Sequence, residues 1–275
     1  MAKVKADLHN HLRTSIISYD SDFNKAINLA QKRLGEKAIF GVVNFADRRY
    51  EQFVELKGYE RVYVGENKNG VYVPEKKVLV VKGQEIPTKE GHLLVIGLEH
   101  EKHLKSGRSL EDALKEVKDL GAIAIADHPF GFEGIGNYLE KNKNLINDLE
   151  AIEVHNAEAS FGLPFGPLPI RANKNAQKFY SNIKKDFPNL GALSTSDGHS
   201  MYELGRNWTE IEMPDIENKN NFVSSLKESI RQTNLQTQIQ MKSAVFGAMS
   251  HAIELIVISK IEGLLAKVFF PHPIK

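Results

Sequence analysis

Short apolar runs rich in β-branched residues alternate along the chain with longer stretches in which apolar residues recur at helical spacing. The short runs predict eight strands, at residues 4–9, 38–45, 78–85, 92–98, 121–127, 150–154, 191–196 and 208–213. The longer stretches predict seven helices, at residues 22–34, 48–57, 109–120, 139–148, 172–185, 222–233 and 244–268. This alternation is typical of an α/β protein with a mainly parallel sheet, either open or closed into a barrel.

Three segments depart from the alternation. Residues 63–77 contain the turn-forming pair Asn69-Gly70 and predict a small hairpin inserted between barrel elements. Residues 157–169, rich in Gly, Pro and Phe, predict a long loop that is either a connector or a lid over the substrate. Residues 253–270 are apolar but carry four charges, which predicts packing against the domain or against a second subunit.

Composition narrows the class of protein. The 275 residues, 41% hydrophobic and 26% charged, are enough for one large domain or at most two. The net charge of +1 disfavours a nucleic-acid coat protein and an acidic disordered tail. Because no uncharged run is long enough to cross a bilayer and the first residues lack an apolar signal core, we expect a soluble, cytoplasmic protein with no membrane partner. Without cysteine, any metal must be bound by His and carboxylates.

Histidines and acids occur where predicted strands end. His9 and His11 end the first strand, and residues i and i+2 of a strand project to one side about 7 Å apart, so both imidazoles can approach one ion. In a parallel barrel, the carboxyl ends of all strands open on the face that carries the active site. Each residue alone could be a buried His, a helix-capping Asp or a turn acid, but five strands end this way: after the first pair come Glu85, Asp127-His128, Glu153 with His155, and Asp197 with His199.

The chemistry of these side chains indicates a metal centre. His nitrogens with carboxylate bridges suit Zn²⁺, Mn²⁺ or Fe²⁺ better than Mg²⁺ or Ca²⁺. The set exceeds what one tetrahedral zinc needs, so we predict two or more ions, about 3.5–4 Å apart. Such ions convert water into hydroxide near neutral pH and neutralise phosphoryl oxygens.

The order of the motifs resembles the PHP (polymerase and histidinol phosphatase) family. The resemblance covers residues 3–214 and implies a distorted (β/α)7 barrel of the PHP type, with its metal site at the C-terminal ends of the strands. It implies a single domain, 1–275, in which residues 219–275 form a helical extension packed on the barrel or on a partner subunit. The motifs are His9-x-His11, Gly83-x-Glu85 followed by Gly91-His92, Asp127-His128-Pro129, Glu153-Val-His155-Asn156 and Ser196-Asp197-Gly198-His199.

The resemblance also implies roles for individual residues. It assigns one ion to His9, His11, Glu85 and Asp197, a second to Glu85, His92 and His128, and a third ion or the phosphate to His199. It also gives Glu153 the position of an acid that lines the site. From their chemistry we take His199, or alternatively His128, as donor to the leaving oxygen, and Arg206 as a phosphate clamp, so that His199, Glu153 and Arg206 are the candidate catalytic residues.

The chain departs from the family pattern at two ligands of the third ion. Positions 15–17 read Ser-Ile-Ile, and positions 43–45 read Val-Asn-Phe where the family usually has Thr-Asp-His. This favours two ions, or a third that is weakly held. Other roles stay open: Asp20 or Asp47 as replacement ligands, Arg48, Arg49 or Arg171 as phosphate contacts, and His155 as a supporting residue.

Two function hypotheses follow. The first is a metal-dependent phosphoesterase in which a metal-bridged hydroxide attacks a phosphorylated small molecule, a nucleotide or a short single-stranded nucleic acid. The second is a metal-binding scaffold of weak or no activity that acts through a partner, with homo-oligomers left open. A C–N hydrolase on a similar barrel is disfavoured, because no lysine stands at a strand end to bridge its metals.

Overall fold

The computed structural model describes residues 2–12, 22–45, 48–160, 171–199, 201 and 203–235. Its strands are β1 (Lys3–Asp7), β2 (Ile39–Val42), β3 (Val62–Val64), β4 (Gly70–Val73), β5 (Val78–Pro87), β6 (His92–Ile96), β7 (Ile123–Ala126), β8 (Ala151–Asn156), β9 (Gly191–Thr195) and β10 (Thr209–Glu212). Its helices are α1 (Phe23–Leu34), α2 (Arg49–Glu55), α3 (Leu110–Asp119), α4 (Gly136–Lys141), α5 (Ala172–Ile183) and α6 (Phe222–Arg231), with 3₁₀ turns at Lys143–Asp148, Glu158–Ser160 and Lys219–Asn221.

Eight strands follow one another around a nearly closed, barrel-like sheet in the order β10-β1-β2-β5-β6-β7-β8-β9. β1, β2, β5, β7, β8 and β9 run in one direction, whereas β6 runs antiparallel between β5 and β7, and β10 runs antiparallel to β1. A parallel bridge between Asn10 and Gly198 joins the end of β1 to the segment after β9. The fold is therefore mixed α/β with a mainly parallel, barrel-like sheet.

Alternation along the strands separates an inner from an outer core. On β7, Ile123 and Ile125 belong to an inner cluster with residues of the other barrel strands, whereas Ala124 and Ala126 pack outward against α3, α4 and α5. α1 and α2 cover the outer side of β2 and β5. α6 adds Phe222 to the inner cluster at the end of the barrel where β9 begins.

The predicted hairpin is confirmed. β3 and β4 pair antiparallel and lie within the predicted residues 63–77, except that β3 begins one residue earlier, at Val62. β4 also pairs with the first half of β5, so the hairpin extends the sheet. The predicted helix at 139–148 is divided into α4 and a 3₁₀ turn. The break occurs at Asn142, whose side chain donates to the carbonyl of Tyr138 and competes with helical hydrogen bonding.

Several predictions fall on residues that the structure does not describe. The predicted helix at 244–268, the apolar segment at 253–270 and residues 161–169 of the predicted loop lie outside the described residues. Within the part of the chain that is described, no helix combines the length and the apolar character that a membrane crossing requires.

Candidate metal centre

The rim of the barrel at which the parallel strands end carries all seven side chains that the sequence predicts as metal ligands. Together with Asp127, they form three overlapping groups, each with its donor atoms within 4.8 Å of one another. Glu85 and His11 each belong to two groups. The groups are His9, His11 and Glu85; Glu85, His92, Asp127 and His128; and His11, Asp197 and His199.

Four donor atoms converge beyond the end of β1. His9 Nε2 lies 3.1 Å from His11 Nε2 and 3.2 Å from Asp197 Oδ1. His11 Nε2 lies 3.0 Å from Glu85 Oε2 and 3.5 Å from Asp197 Oδ1, and His9 Nε2 lies 3.8 Å from Glu85 Oε2. Ligand atoms at about 2.0–2.2 Å from a tetrahedral zinc stand about 3.3–3.6 Å apart. The five spacings, 3.0 to 3.8 Å, scatter around that range. The two imidazoles therefore stand between Glu85 on one side and Asp197 on the other, and each of them lies within ligand distance of both acids.

Glu153 orients His9 by contacting the ring nitrogen that faces away from the ligand group. Its Nδ1 lies 2.9 Å from Glu153 Oε1, and because a carboxylate only accepts, Nδ1 carries the hydrogen and Nε2 faces the ligand group. Glu153 is fully buried and also accepts hydrogen bonds from the His128 amide, Thr195 Oγ1 and Asn156 Nδ2. Burial alone would raise the pKa of Glu153, but the facing His9 and the other donors lower it to about 2. Glu153 is thus a charged acid behind the ligands.

In the protein without an ion, the acids around His9 hold a proton there. Burial lowers the pKa of His9, but Asp197, Glu153 and Glu85 outweigh burial and raise it well above its ordinary value. His11 shows the opposite result, because burial and the neighbouring His199 lower its pKa to about 4. The group therefore attracts positive charge at one point while leaving a neutral imidazole beside it.

Glu85 joins the first group to the second. Its Oε2 faces His11, whereas its Oε1 lies 2.6 Å from His92 Nδ1 and 3.1 Å from His128 Nε2. Burial would raise the pKa of Glu85, but hydrogen bonds with the surrounding histidines hold it well below its usual range. His92 starts β6 rather than ending a strand, and it reaches the same rim because β6 runs antiparallel. One oxygen of Glu85 is thus available to each group.

Asp127 is a member of the second group that the sequence-based ligand set omits. It follows β7 on the inward side, is fully buried, and neither carboxylate oxygen has a hydrogen-bond partner among the described residues. The nearest cation-capable atom is His128 Nε2, 3.4 Å from Oδ2. Burial raises the pKa of Asp127 well above its ordinary value. The inward alternation of Ile123 and Ile125 was the sequence signal that could have identified it.

His199 stands at the outer side of the first group. Its ring stacks on His11 with centroids 4.4 Å apart, and its Nδ1 lies 3.0 Å from the Asp197 carbonyl and 3.2 Å from Glu158 Oε2. Burial lowers the pKa of His199, but Glu158 and Asp197 raise it to about 9. Glu158, in the 3₁₀ turn after β8, was not predicted, since no strand-end pattern marks it. The protonated Nδ1 is thus held by two acceptors.

Backbone strain occurs at two residues of the centre. His128 has φ of 24° and Asp197 has φ of 50°, in the left-handed region that non-glycine residues rarely adopt. Such strain persists where the surrounding structure enforces it and is concentrated at functional sites. Both residues lie directly beyond the inner strands, where the chain must turn while keeping its side chain on the rim.

Phe45 occupies a position where the family resemblance expects a histidine. Its ring packs against His11 and His92, with centroid distances of 5.1 and 5.6 Å, and 40% of the residue is exposed. Phe45 supplies no metal ligand, so an exposed aromatic ring stands where the resemblance predicts a ligand of a third ion. Asp20 and Asp47, the predicted replacement ligands, lie outside the described residues.

The structure places Arg206 beside α1. Gly205, its neighbour, packs against Arg33 and Leu34 of that helix. Burial and the charge of Arg206 lower the pKa of Arg33, whose guanidinium donates to the Leu204 carbonyl. The role of Arg206 as a phosphate clamp stays a prediction.

Three other predicted polar residues lie within the part of the chain that the structure describes. Arg48 is exposed, with its guanidinium 4.0 Å from Glu101, and Arg171 is exposed at the start of α5. His155 belongs to none of the three ligand groups; its Nε2 is buried without a hydrogen-bond partner among the described residues, and burial lowers its pKa to about 4. These positions agree with solvated arginines and with a supporting histidine.

Comparison with known proteins places the fold. No protein-family model matches the chain. A protein of Methanocaldococcus jannaschii described only as uncharacterized is 29% identical over 161 residues, which cover 56% of this chain and 82% of that protein. PsfC from Pseudomonas syringae PB-5123 has a similar structure, with a TM-score of 0.59, 15% identity, and coverage of 95% of this chain and 100% of that one.

Two further solved structures are endonucleases. The lesion-specific endonuclease PfuEndoQ from Pyrococcus furiosus has a TM-score of 0.56 and 16% identity over 86% of this chain. Endonuclease Q in complex with a 27-mer duplex, with an abasic lesion at its active site, has a TM-score of 0.57 and 16% identity over 85% of this chain. The chain spans 58% of the length of each endonuclease. At these identities the likeness establishes the fold.

Proposed function

We propose that the chain is a metal-dependent hydrolase of phosphoesters built on a PHP-type barrel, with its core in residues 3–214. The observation that carries the proposal is the convergence of eight side chains, separated widely in sequence, into three adjoining ligand groups that are joined through Glu85 and His11. Single buried histidines and acids usually have a structural role, but a shared carboxylate between two sets of imidazoles is the arrangement that a two-metal site requires.

The donor set fits two divalent ions. His9, His11, Glu85 and Asp197 would bind one ion; Glu85, His92 and His128 would bind the other. Mixed nitrogen and oxygen donors favour Zn²⁺, Mn²⁺ or Fe²⁺. Ions bound there would supply activation of water and neutralisation of charge on the phosphoryl oxygens.

The remaining residues of the centre have positioning and proton-transfer roles in this proposal. Glu153 keeps His9 in the tautomer that presents Nε2, so we assign it a positioning role behind the ligand. Glu158 and the Asp197 carbonyl keep the hydrogen of His199 on Nδ1. Nε2 of His199 is then the nitrogen that would serve the substrate, as a donor to the leaving oxygen.

The exposed ring of Phe45 indicates which kind of substrate the centre would accept. Because this ring contacts His11 and His92, the organic group of a bound phosphoester would meet an apolar, planar surface next to the ions. A nucleotide or an aryl ester offers a group of that kind. The likeness to Endonuclease Q favours a nucleic-acid phosphodiester as the second candidate substrate.

The test is hydrolysis by the full chain supplied with Mn²⁺, Zn²⁺ or Fe²⁺. The substrates are p-nitrophenyl phosphate, bis-p-nitrophenyl phosphate, a nucleoside monophosphate and a short single-stranded oligonucleotide. We expect turnover of at least one of them, and Glu85→Gln should reduce it by about 100-fold or more, since both proposed ions share this carboxylate.

The matched control is Glu140→Gln on the exposed side of α4, which should retain the wild-type rate. Equal activity in Glu85→Gln and in the wild type would reject the proposed centre. If the metal-loaded wild type hydrolyses none of the four substrates, the scaffold hypothesis is favoured instead.

A further inference from the structure

Asp127 differs from the other acids of the centre in having no hydrogen-bond partner. Glu153 accepts four hydrogen bonds, and Asp7, beneath the first group, accepts from two backbone amides. Both oxygens of Asp127 are buried and lack a hydrogen-bond partner among the described residues. Buried carboxylates are normally paired or bind a metal, because desolvation of an unpaired charge is unfavourable. His128 Nε2, 3.4 Å from Asp127 Oδ2, is also 3.1 Å from Glu85 Oε1, so two carboxylates face one imidazole and the position favours a further cation.

The burial of Asp127 shows on which side of the second ligand group its carboxylate lies. The side chains of His92 and His128 are 13% and 10% exposed, whereas that of Asp127 is 0% exposed. Ile125, two residues earlier on β7, belongs to the inner core of the barrel. Asp127 thus lies on the buried side of the group, below the two histidines.

We propose that Asp127 is a ligand of the second ion and binds it from inside the barrel, completing a set of four with Glu85, His92 and His128. All four donors lie within 4.8 Å of one another. Glu85 lies on β5, His92 on β6, and Asp127 and His128 directly after β7, so one continuous part of the sheet would hold this ion. The inference rests on the proposed metal centre and adds a ligand to it.

The chemistry of the set has a consequence for the protein without metal. Asp127 and Glu85 together balance the charge of a divalent cation, whereas without the ion the cation-capable side chain that Asp127 faces is His128, which Glu85 also contacts. Asparagine has nearly the same shape but no charge. Asp127→Asn should therefore weaken metal binding. The stability of the metal-free fold should stay the same or increase.

The first experiment counts ions. Full-length wild type and Asp127→Asn are saturated with Zn²⁺ or Mn²⁺, dialysed against metal-free buffer and analysed for metal per chain. We expect two ions in the wild type and one in the variant, with the affinity for the lost ion reduced by about tenfold or more, since even residues behind metal ligands change affinity by about 10–100-fold. Asp119→Asn, on the exposed end of α3, is the matched control and should bind as the wild type does.

The second experiment compares thermal unfolding in EDTA and in excess Zn²⁺. In EDTA the midpoint of Asp127→Asn should equal or exceed that of the wild type, and Zn²⁺ should raise the wild-type midpoint more than that of the variant. A double variant with His92→Ala should lose no further ion, whereas a double variant with His9→Ala should lose both. Far-UV circular dichroism confirms that each variant is folded.

The outcomes separate this inference from the proposed function. If Asp127→Asn retains both ions with wild-type affinity, or gains as much stability from Zn²⁺ as the wild type does, Asp127 is not a ligand, and the phosphoesterase proposal stands. If the variant loses one ion but the wild type hydrolyses no phosphoester, the ligand assignment stands and the proposed activity is wrong. If the wild type retains no metal at all, both are wrong.

Discussion

At the scale of single residues, the centre depends on side chains that never face the solvent. Glu153 is the clearest case, because it lies behind His9 and fixes which imidazole nitrogen faces the ligand group. Its low pKa means that it is charged in the folded protein under all but strongly acidic conditions. A residue of this kind contributes to stability and to metal affinity through the same contacts.

Replacement of Glu153 tests this dual role. Glu153→Gln should destabilise the metal-free protein by roughly 3 kcal/mol at pH 7, because the folded pKa of about 2 lies below the unfolded value of about 4.5. A lowered carboxyl pKa stabilises the fold above pH 4.5, and this contribution is lost as the pH falls towards 2. The difference between wild type and variant in urea unfolding should therefore shrink over that range.

Glu140→Gln serves again as the control and should follow the wild type at every pH. Should the stability difference stay constant between pH 7 and pH 3, the charge of Glu153 does not account for it. The affinity for one ion should fall as well, by about 10–100-fold, since Glu153 orients a ligand rather than binding the metal.

At the scale of secondary-structure elements, the ends of β1 and β9 are tied together by Asp7. Its Oδ1 accepts from the Ser196 amide, 189 positions away in sequence, at 2.9 Å, and its Oδ2 accepts from the Gly205 amide at 2.7 Å. Asp7 precedes His9 by two residues, and Ser196 directly precedes Asp197. The two hydrogen bonds therefore hold ligands of the first group, from distant parts of the chain, at a fixed separation.

Asp7→Asn should break this connection. The amide nitrogen that replaces one oxygen would face a backbone N–H, so one buried donor loses its acceptor at a penalty of about 1–3 kcal/mol. We expect a lower urea midpoint and a weakened first ion, with the second ion retained. Asp119→Asn controls for loss of a carboxylate. A variant that is destabilised but binds both ions as tightly as the wild type would show that Asp7 does not position the ligands.

The comparison of elements shows what the pattern of residues could and could not predict. Alternating β-branched runs predicted the strands and turn residues predicted the β3–β4 hairpin, because both signals are local. The direction of β6 depends on tertiary pairing and left no local signal, although it brings His92 to the rim. Similarly, Glu158 follows a strand by an irregular turn, so its approach to His199 could not be read from spacing.

Asp127 illustrates a different limit. The sequence places it at a strand end next to His128, but the resemblance to the PHP family predicts only the histidine as a metal ligand. Asp127 is recognised as a candidate ligand only when its lack of a hydrogen-bond partner is known, and this lack is a property of the three-dimensional environment.

At the scale of the whole molecule, the ligands proposed for the first ion connect the beginning of the barrel to its last parallel strand. An ion bound by His9, His11 and Asp197 would cross-link segments that close the sheet, in the region where the Asn10–Gly198 bridge joins them. Metal binding to a site that exists only in the folded state adds to folding stability.

Metal removal should consequently lower the thermal stability of the whole domain. Free Zn²⁺ at about 100 times its dissociation constant should stabilise the fold by about 2.7 kcal/mol per ion, which corresponds to about 5–10 °C in the unfolding midpoint for a chain of this size. His11→Ala should abolish most of the gain from the first ion, whereas Glu140→Gln should show the full gain. Equal midpoints with EDTA and with Zn²⁺ in the wild type would contradict this.

The antiparallel course of β6 also has a temporal consequence. Glu85 and His92 are only seven positions apart and belong to one hairpin, a unit that forms within about 1–10 μs in isolation. A nascent chain can thus offer a partial chelate to a cation once Ile96, the last residue of β6, has been made and the hairpin is free to pair. The ligand Asp197 follows β9 and is made about a hundred residues later. Binding of metal during biosynthesis would therefore begin at the hairpin and be completed only after Asp197 has been made.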